Sequence, residues 1–517
     1  MADNLSAIME TIGLDRYQEL KAGGATDEEI SEAVQRVKTN AEERNVVIFP
    51  YTPDFVKPIK DKSGNVVGER ICAPLLADHI RENLHYFFVR DGANSAVRRY
   101  VYKGGCYRLI SDDEFKGEIK AYIKGYNPEI LRSKDVNEVF FDLTTDSKWL
   151  DDDQLNADEN IINFQNGVLH LDTMELKPHS PNYLSTIQIP CDWTEDEPQT
   201  PVYDSFLETL TGGDGFKKMF LEQFMGVAIS NVHGYRMKKA LFMVGKGDTG
   251  KSQLKKLTER LLGNGNYTGV DLEYLERRFG SSALYNKRLA GSSDMGFITV
   301  RELRTFKLAT GGDTIRAEFK GQDGFEFTYN GVLWFCANRK PKFGGDRGDW
   351  VYDRMVFIDC KNVIPKEKQD KELLNKMYAE RAGIVKKAVK ALKIVIGNGY
   401  SYTNPPAAAK SLEEYKVENN SILSFIAECV VPRPAGFRDN CTTKIMFDVY
   451  KAWCADNNNG YAETKRSFNT EFAAHFGYES IKDAISRTSS NTYFTDYTLS
   501  KEAKRDYARI YGYDSIT

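Results

Sequence analysis

A chain of 517 residues is long enough for about three domains, and 28% charged with 41% hydrophobic residues is an ordinary globular balance. The formal net charge of −4 excludes a globally basic field, so any contact with nucleic acid must come from local patches. There is no run of about 18 apolar residues and no basic-then-apolar start, so neither a membrane span nor a secretory signal is expected, and eight cysteines without a C-x-x-C pair argue against zinc and for a reducing, cytoplasmic setting.

The first 44 residues read as a polar helical lead, with Leu5, Ile8 and Ile12 at helical spacing. Residues 45–200 read as an α+β domain. Tyr86-Phe-Phe-Val-Arg90 and Arg99-Tyr-Val-Tyr-Lys103 are predicted strands, and 112–123 is a predicted helix. Residues 160–172 form a predicted hairpin around Asn166-Gly167. The acidic, Pro-containing tract 192–201 reads as a linker. A helical collar is expected over 201–235, with Phe220, Phe224, Val227 and Ile229 near one stripe of a helix over 206–231.

The sharpest signal follows. Ala240-Leu-Phe-Met-Val244 reads as a buried strand, then comes Gly245-Lys246-Gly247-Asp248-Thr249-Gly250-Lys251-Ser252, the phosphate-loop pattern G-x-x-x-x-G-K-S. Leu254, Leu257, Leu261 and Leu262 then keep helical spacing, so the loop lies between a strand and a helix. Such a loop wraps a polyphosphate with backbone N–H groups and a helix N-terminus. Lys251 reaches the β- and γ-phosphates of ATP, and the Ser252 hydroxyl helps hold Mg²⁺. Asp294 ends a strand-like run and is a second candidate metal ligand. Ser293 precedes it where a second acid would serve as base, so the catalytic base stays unassigned.

Ile315, Ala317, Phe325 and Phe327 alternate with polar residues around an Asp323-Gly324 turn, predicting a hairpin with Lys320 near its tip and Arg316 on its arm. Basic groups there could grip DNA phosphates. Asn338 follows a buried strand and could orient the attacking water; Arg354 precedes another strand and could stabilise charge on a neighbouring subunit's nucleotide. Each has a plainer alternative on its own: a helix-cap aspartate, a solvated hairpin, a turn-forming asparagine, a salt-bridged arginine. An ATPase domain is expected over 236–404, ending at Asn404-Pro-Pro406. Beyond it, 405–517 reads as helix, helix with Lys465 and Arg466 in its first turn, then a hairpin with Arg487. That is a winged-helix pattern suited to duplex DNA or to protein contacts.

Taken together these elements resemble the superfamily 3 helicases of the AAA+ class, and within it the phage, plasmid and poxvirus primase-helicase family. Asn163-Phe-Gln-Asn-Gly-Val-Leu169 with Pro178-His-Ser-Pro181 is similar to that family's pre-helicase region, and the chain resembles replication initiator helicases of mobile elements such as staphylococcal pathogenicity islands. The resemblance implies an α/β chain in which an AAA+ P-loop core is preceded by an α+β domain and followed by a winged helix. It implies a homo-oligomeric ring, most simply a hexamer, that hydrolyses ATP with Mg²⁺ at subunit interfaces and unwinds DNA 3′ to 5′. Lys251, Ser252, Asp294 and Asn338 would act from one subunit and Arg354 from the next, with Lys320 on single-stranded DNA and the tail on origin duplex. Host replication proteins are further possible partners. Residues 1–200 show no Asp-x-Asp pair with a partnering His, and Asp151-Asp-Asp153 reads as a solvated loop, so priming activity is not expected. The alternatives are an origin-binding protein in which ATP only controls assembly, a primase-helicase component, and a DNA-packaging or RNA-remodelling ATPase.

Overall fold

The structure is a computed structural model that describes residues 49 and 52–507, apart from 92–95, 146–148, 297–298, 301, 322, 344–348, 435–439 and 458–461. The expected helical lead over 1–44 lies outside the described residues. The chain divides into two compact units: residues 1–158, 163–169 and 175–188 form one, and residues 159–162, 170–174 and 189–517 the other. No helix among the described residues is long and apolar enough to cross a membrane.

In the first unit, β1 (Val56–Lys60) and β2 (Val66–Ile71) pair antiparallel across a turn held by the Asp61 carboxylate, which accepts the N–H groups of Ser63 and Asn65. Helix α1 (Ala73–Asn83) starts with Pro74, whose fixed φ suits a first helical turn. The strands β3 (Tyr86–Asp91), β4 (Ala96–Lys103) and β5 (Cys106–Ile110) form an antiparallel meander, and β6 (Trp149–Leu150) joins β3 in parallel, giving the order β5-β4-β3-β6. Helix α2 (Asp112–Tyr126) carries the Ser111–Glu114 capping box, and α3 (Ser133–Thr145) follows it. Leu76, Ile80, Phe88, Val101, Phe115, Ile119 and Val139 make the core. Asp152 is ion-paired to the largely buried Arg98, so this acidic stretch is anchored to the sheet and not simply solvated. The strands β7 (Ile161–Phe164) and β8 (Gly167–His170) flank the Asn166-Gly167 turn as expected, and β9 (Leu176–Lys177) pairs with β8.

The second unit opens with two helices where the sequence suggested one. The helix α4 (Pro201–Thr211) stops at Gly212, and α5 (Gly215–Ile229) restarts under the Asp214 carboxylate, which accepts the N–H groups of Phe216 and Lys217. Then come β10 (Ala240–Val244), α6 (Lys251–Leu262), β11 (Tyr267–Gly269), β12 (Leu289–Gly291), β13 (Thr299–Val300), α7 (Arg304–Gly311), β14 (Thr314–Ala317), β15 (Phe325–Thr328), β16 (Val332–Ala337), β17 (Lys342–Phe343) and β18 (Met355–Asp359). Five of these make a wholly parallel sheet in the order β11-β12-β16-β10-β18. Every residue of β10 and β16 is buried, the run expected of strands covered on both faces. β14 and β15 pair antiparallel as a hairpin, through a connection longer than a two-residue turn.

Helix α8 (Leu373–Ala379) leads into α9 (Arg381–Gly397). α5 packs along α9, so the expected collar is built into the sheet's helical cover. The tract expected as a linker is pinned there as well. Trp193 is buried, and the Lys386 ammonium donates to the carbonyls of Thr194, Glu195 and Asp196. Helix α10 (Pro406–Asn419) lies on β18; Tyr415 sits in the sheet's own core and its hydroxyl donates to the Pro341 carbonyl. The helix that follows the boundary expected at 405 thus packs with the sheet, and Asn420 comes after it. That residue caps α11 (Ser421–Cys429) by accepting the N–H groups of Ile422 at 2.9 Å and Leu423 at 3.2 Å. A separate core, including Ile422, Phe425, Met446, Trp453, Phe468 and Phe494, joins α11 to α12 (Thr443–Asp456) and α13 (Lys465–His475). β19 (Val430–Pro432) pairs with β22 (Tyr497–Leu499), and β20 (Ile485–Arg487) with β21 (Thr492–Phe494), so the expected helix, helix, hairpin order is present.

Candidate functional site

The parallel sheet sets up one mouth. β10 lies between β16 and β18; the next strand in the chain, β11, takes the far edge on the β16 side and the last, β18, closes the other side, so the loop after β10 opens inside the sheet's carboxyl edge, where open α/β sheets bind ligands. The loop is seated from both sides. Gly245 N–H donates to the Ala337 carbonyl at 3.2 Å, and Cys360 N–H to the Val244 carbonyl at 2.7 Å. A Cβ on Gly245 would lie 2.0 Å from the Cys360 carbonyl oxygen, so no side chain fits there. Gly250 has φ +89°, and its Cβ would meet the Phe206 ring at 2.8 Å. Gly247 faces open space, and Asp248 holds a left-handed φ of 61°. Helix α6 begins directly at Lys251, so its N-terminal N–H groups and dipole face the loop.

Lys251 is 6% exposed, and its ammonium donates to the carbonyls of Gly245 and Lys246, both at 2.7 Å, and to the Thr249 hydroxyl at 3.1 Å. Ser252 donates its hydroxyl to the Ser293 carbonyl at 2.6 Å, which brings the helix start beside the segment carrying Asp294. A parallel bridge between Met295 and Ala337 then brings the segment carrying Asp294 alongside the end of β16, which Asn338 follows. A cleft of about 1090 Å³ is lined by Gly247, Asp248, Thr249, Gly250, Lys251, Ser252, Asp294 and Asn338. The structure thus brings together the predicted loop, the candidate metal ligands and the candidate water-orienting amide. Ser252 and Asp294 offer hydroxyl and carboxylate oxygens, the donor type that suits a hard divalent cation.

The same cleft has walls that the sequence pattern did not mark. Val202, Ser205 and Phe206 from α4 line one side, and Ile364, Lys368 and Lys371 from the segment after β18 line another. α4 is held in place by Glu380, whose carboxylate accepts the N–H groups of Val202 at 3.0 Å and Tyr203 at 2.9 Å. Apolar spacing identifies a packed helix but not the cleft its edge will face, so no local signal marked these residues.

Arg354 is not in this cleft. It precedes β18, whereas the loop sits beyond the other end of the sheet, a separation of roughly 15 Å for a five-residue strand. Its guanidinium donates to the Lys307 carbonyl at 3.3 Å and the Thr310 hydroxyl at 3.1 Å, near the C-terminus of α7, where a cation is favoured. It makes no carboxylate pair among the described residues. Lys320 is exposed in the connection between β14 and β15, and Arg316 is exposed on β14. Lys465 and Arg466 are exposed in the first turn of α13, and Arg487 is exposed at the end of β20.

Comparisons with known proteins give matches along most of the chain. A D5 N-terminal-like family model matches residues 79–212, a family of unknown function (DUF5906) matches 243–354, and a poxvirus D5 protein-like family matches 417–509. A curated relative, "Putative helicase 121R" of Invertebrate iridescent virus 3, is 29% identical over 247 residues. That match takes in 45% of this chain and 25% of the relative, so the chain spans about a quarter of the length of the curated protein it matches. Two apo structures of the NrS-1 C-terminal region are also similar. One has TM-score 0.44 at 13% identity, covering 77% of this chain and 84% of that one; the other has TM-score 0.42 at 11% identity, covering 81% and 98%.

Proposed function

We propose that this chain is an ATP-driven DNA helicase of the superfamily 3, AAA+ kind, a replication initiator of a phage or other mobile element. It works as a ring, most simply a hexamer, that draws single-stranded DNA through its centre. The observation that carries this reading is a division of parts. Lys251, Ser252, Asp294 and Asn338 converge on one cleft, while Arg354 lies outside it, at the far end of β18. The similarity to D5-type and iridescent-virus sequences supports a replication role of the helicase or primase kind.

In this reading the loop N–H groups and Lys251 bind the polyphosphate, and Ser252 and Asp294 hold Mg²⁺. The bound cation supplies charge neutralisation to the phosphates. Asn338 orients water; Arg354 supplies positive charge from the next subunit, an effect worth on the order of 10³–10⁵ in rate where such residues act. Lys320 and Arg316 contact single-stranded DNA phosphates; Lys465, Arg466 and Arg487 contact origin duplex.

The test is ATP turnover with and without forked DNA, followed by mixing. Lys251→Ala and Arg354→Ala should each be inactive alone, and their mixture should regain part of the activity through hybrid interfaces. A protein that stays a single subunit with ATP and DNA present and turns over no ATP removes the reading. The C-terminal module's separate core favours one second reading, an origin-binding protein in which ATP only controls assembly. Tight duplex binding combined with turnover indifferent to DNA would select it.

A further inference from the structure

The segment after β18 runs along the nucleotide cleft and is tied to the phosphate loop. Ile364 donates its N–H to the Asp248 carbonyl at 2.9 Å, and the Gln369 side-chain amide donates to the Ile364 carbonyl at 3.1 Å. A short turn, Lys366–Lys368, then carries the chain to α8. Lys368, Gln369, Asp370 and Lys371 all line the cleft that Lys251, Ser252 and Asp294 line. The one carboxylate among these four is already engaged: Asp370 pairs with Lys376 at 2.6 Å, and that ammonium holds its carboxyl below the usual carboxylate range. Lys368 and Lys371 make no ion pair among the described residues. Two ammonium groups therefore border the cleft that the phosphate loop also lines, and the acid between them, Asp370, is engaged by Lys376.

We propose that Lys368 and Lys371 form a second cationic wall of the nucleotide site, acting within one subunit on the polyphosphate beside the phosphate loop. This rests on the reading of the cleft as a nucleoside triphosphate site. Each phosphate added to a nucleotide brings negative charge, and two further cations raise affinity most for the most highly charged ligand. The tie between Ile364 and Asp248 gives the wall a fixed place: the strap and the loop apex move together, so the lysines stay at the polyphosphate end. The wall therefore sorts nucleotides by phosphate count and not by base.

The experiment is a binding titration of the full-length protein with ATP, ADP and AMP in the presence of Mg²⁺, monitored by displacement of a fluorescent ATP analogue. The variants are Lys368→Ala/Lys371→Ala, the charge-keeping Lys368→Arg/Lys371→Arg, and Lys251→Ala. Expected is a loss on the order of tenfold for ATP in the alanine pair, a smaller loss for ADP, none for AMP, and recovery in the arginine pair. An alanine pair that binds ATP like the parent while Lys251→Ala has lost it overturns the wall and leaves the nucleotide site standing. An equal loss for all three nucleotides, unrescued by arginine, also overturns it, because a merely structural role gives that pattern. A parent protein that binds no triphosphate sinks the reading of the cleft itself.

Discussion

Arg288 offers a quantitative test of how the sheet is aligned behind the site. It precedes β12, and its guanidinium is buried and makes no ion pair with a carboxylate among the described residues. It donates to the carbonyls of Val227 at 2.8 Å, Val232 at 2.7 Å and Asn330 at 2.5 Å, and its own carbonyl accepts Val332 N–H at 2.8 Å. Burial pushes its pKa down to about 10, so it remains charged at neutral pH. The residue thus fixes β12 beside β16, the two strands that deliver Asp294 and Asn338 to the cleft.

In Arg288→Met, three charge-assisted hydrogen bonds disappear, each worth about 1.5–3 kcal/mol. Two of the carbonyls keep another donor: Ser230 serves Val227, and Gly234 N–H serves Asn330 at 2.9 Å. Only the Val232 carbonyl is orphaned. Releasing a buried cation from its desolvation penalty offsets part of the rest. The net is a loss of about 2–4 kcal/mol, which for a unit of this size lowers Tm by roughly 3–6 °C. The assay is a thermal melt by differential scanning calorimetry, with ATP turnover measured below the transition, which should fall as the strand ends lose register. A variant as stable as the parent, or more so, would refute the reasoning: the cation's desolvation would then outweigh everything it ties together.

Three further outcomes are expected. His79 and His233 are both held below the ordinary imidazole range, first by burial, so the unfolded chain takes up protons where the folded chain does not. Their contribution is complete above about pH 6.5 and is lost as pH falls through the folded values; urea midpoints from pH 7.5 down to 5.5 should decline, and His233→Asn should flatten that decline. Gly250→Ala forces a Cβ onto the Phe206 ring at a left-handed φ, so nucleotide affinity should drop at least tenfold; retention of parental affinity in equilibrium dialysis counts against the loop geometry. Replacing Lys465 and Arg466 together by alanine should shrink the salt slope of duplex binding by about 1–2, read from fluorescence anisotropy across a salt series; an unchanged slope sends the DNA contact elsewhere.

The parts of the site that were legible in the sequence are those whose chemistry and backbone requirements coincide. A phosphate loop needs its glycines, its lysine and both flanks at fixed offsets, and all are contiguous. Asp294 and Asn338 were legible because a polar residue at the end of a buried strand is conspicuous. The α4 wall was not, because Phe206 packs like any helical apolar residue and only the fold turns its ring toward Gly250. The strap lysines sit in a polar stretch that resembles an exposed connection until Ile364 is seen bonded to the loop. The split between the two cores was not legible either: nothing local says that Tyr415 joins one core and Ile422 another. The tract at 192–201 reads as a linker by charge, yet its backbone carbonyls and Trp193 do the packing.

The way α10 is mounted has a mechanical consequence. Besides the Tyr415 hydroxyl, Lys340 donates to the Ser411 carbonyl at 2.9 Å and Asn419 donates to the Tyr352 hydroxyl at 2.9 Å, so the helix is gripped along its length against β18 and its surroundings. Fourteen residues make a rod about 21 Å long, and a 10° tilt of its seat would swing the far end by roughly 4 Å. The tail continues from that far end at Asn420, and the Ser424 hydroxyl donates back to the Val417 carbonyl of the rod at 2.8 Å. The strand under the rod is the one flanked by Arg354 and the lysine strap, so any tilt of that strand would be carried along the rod to the tail.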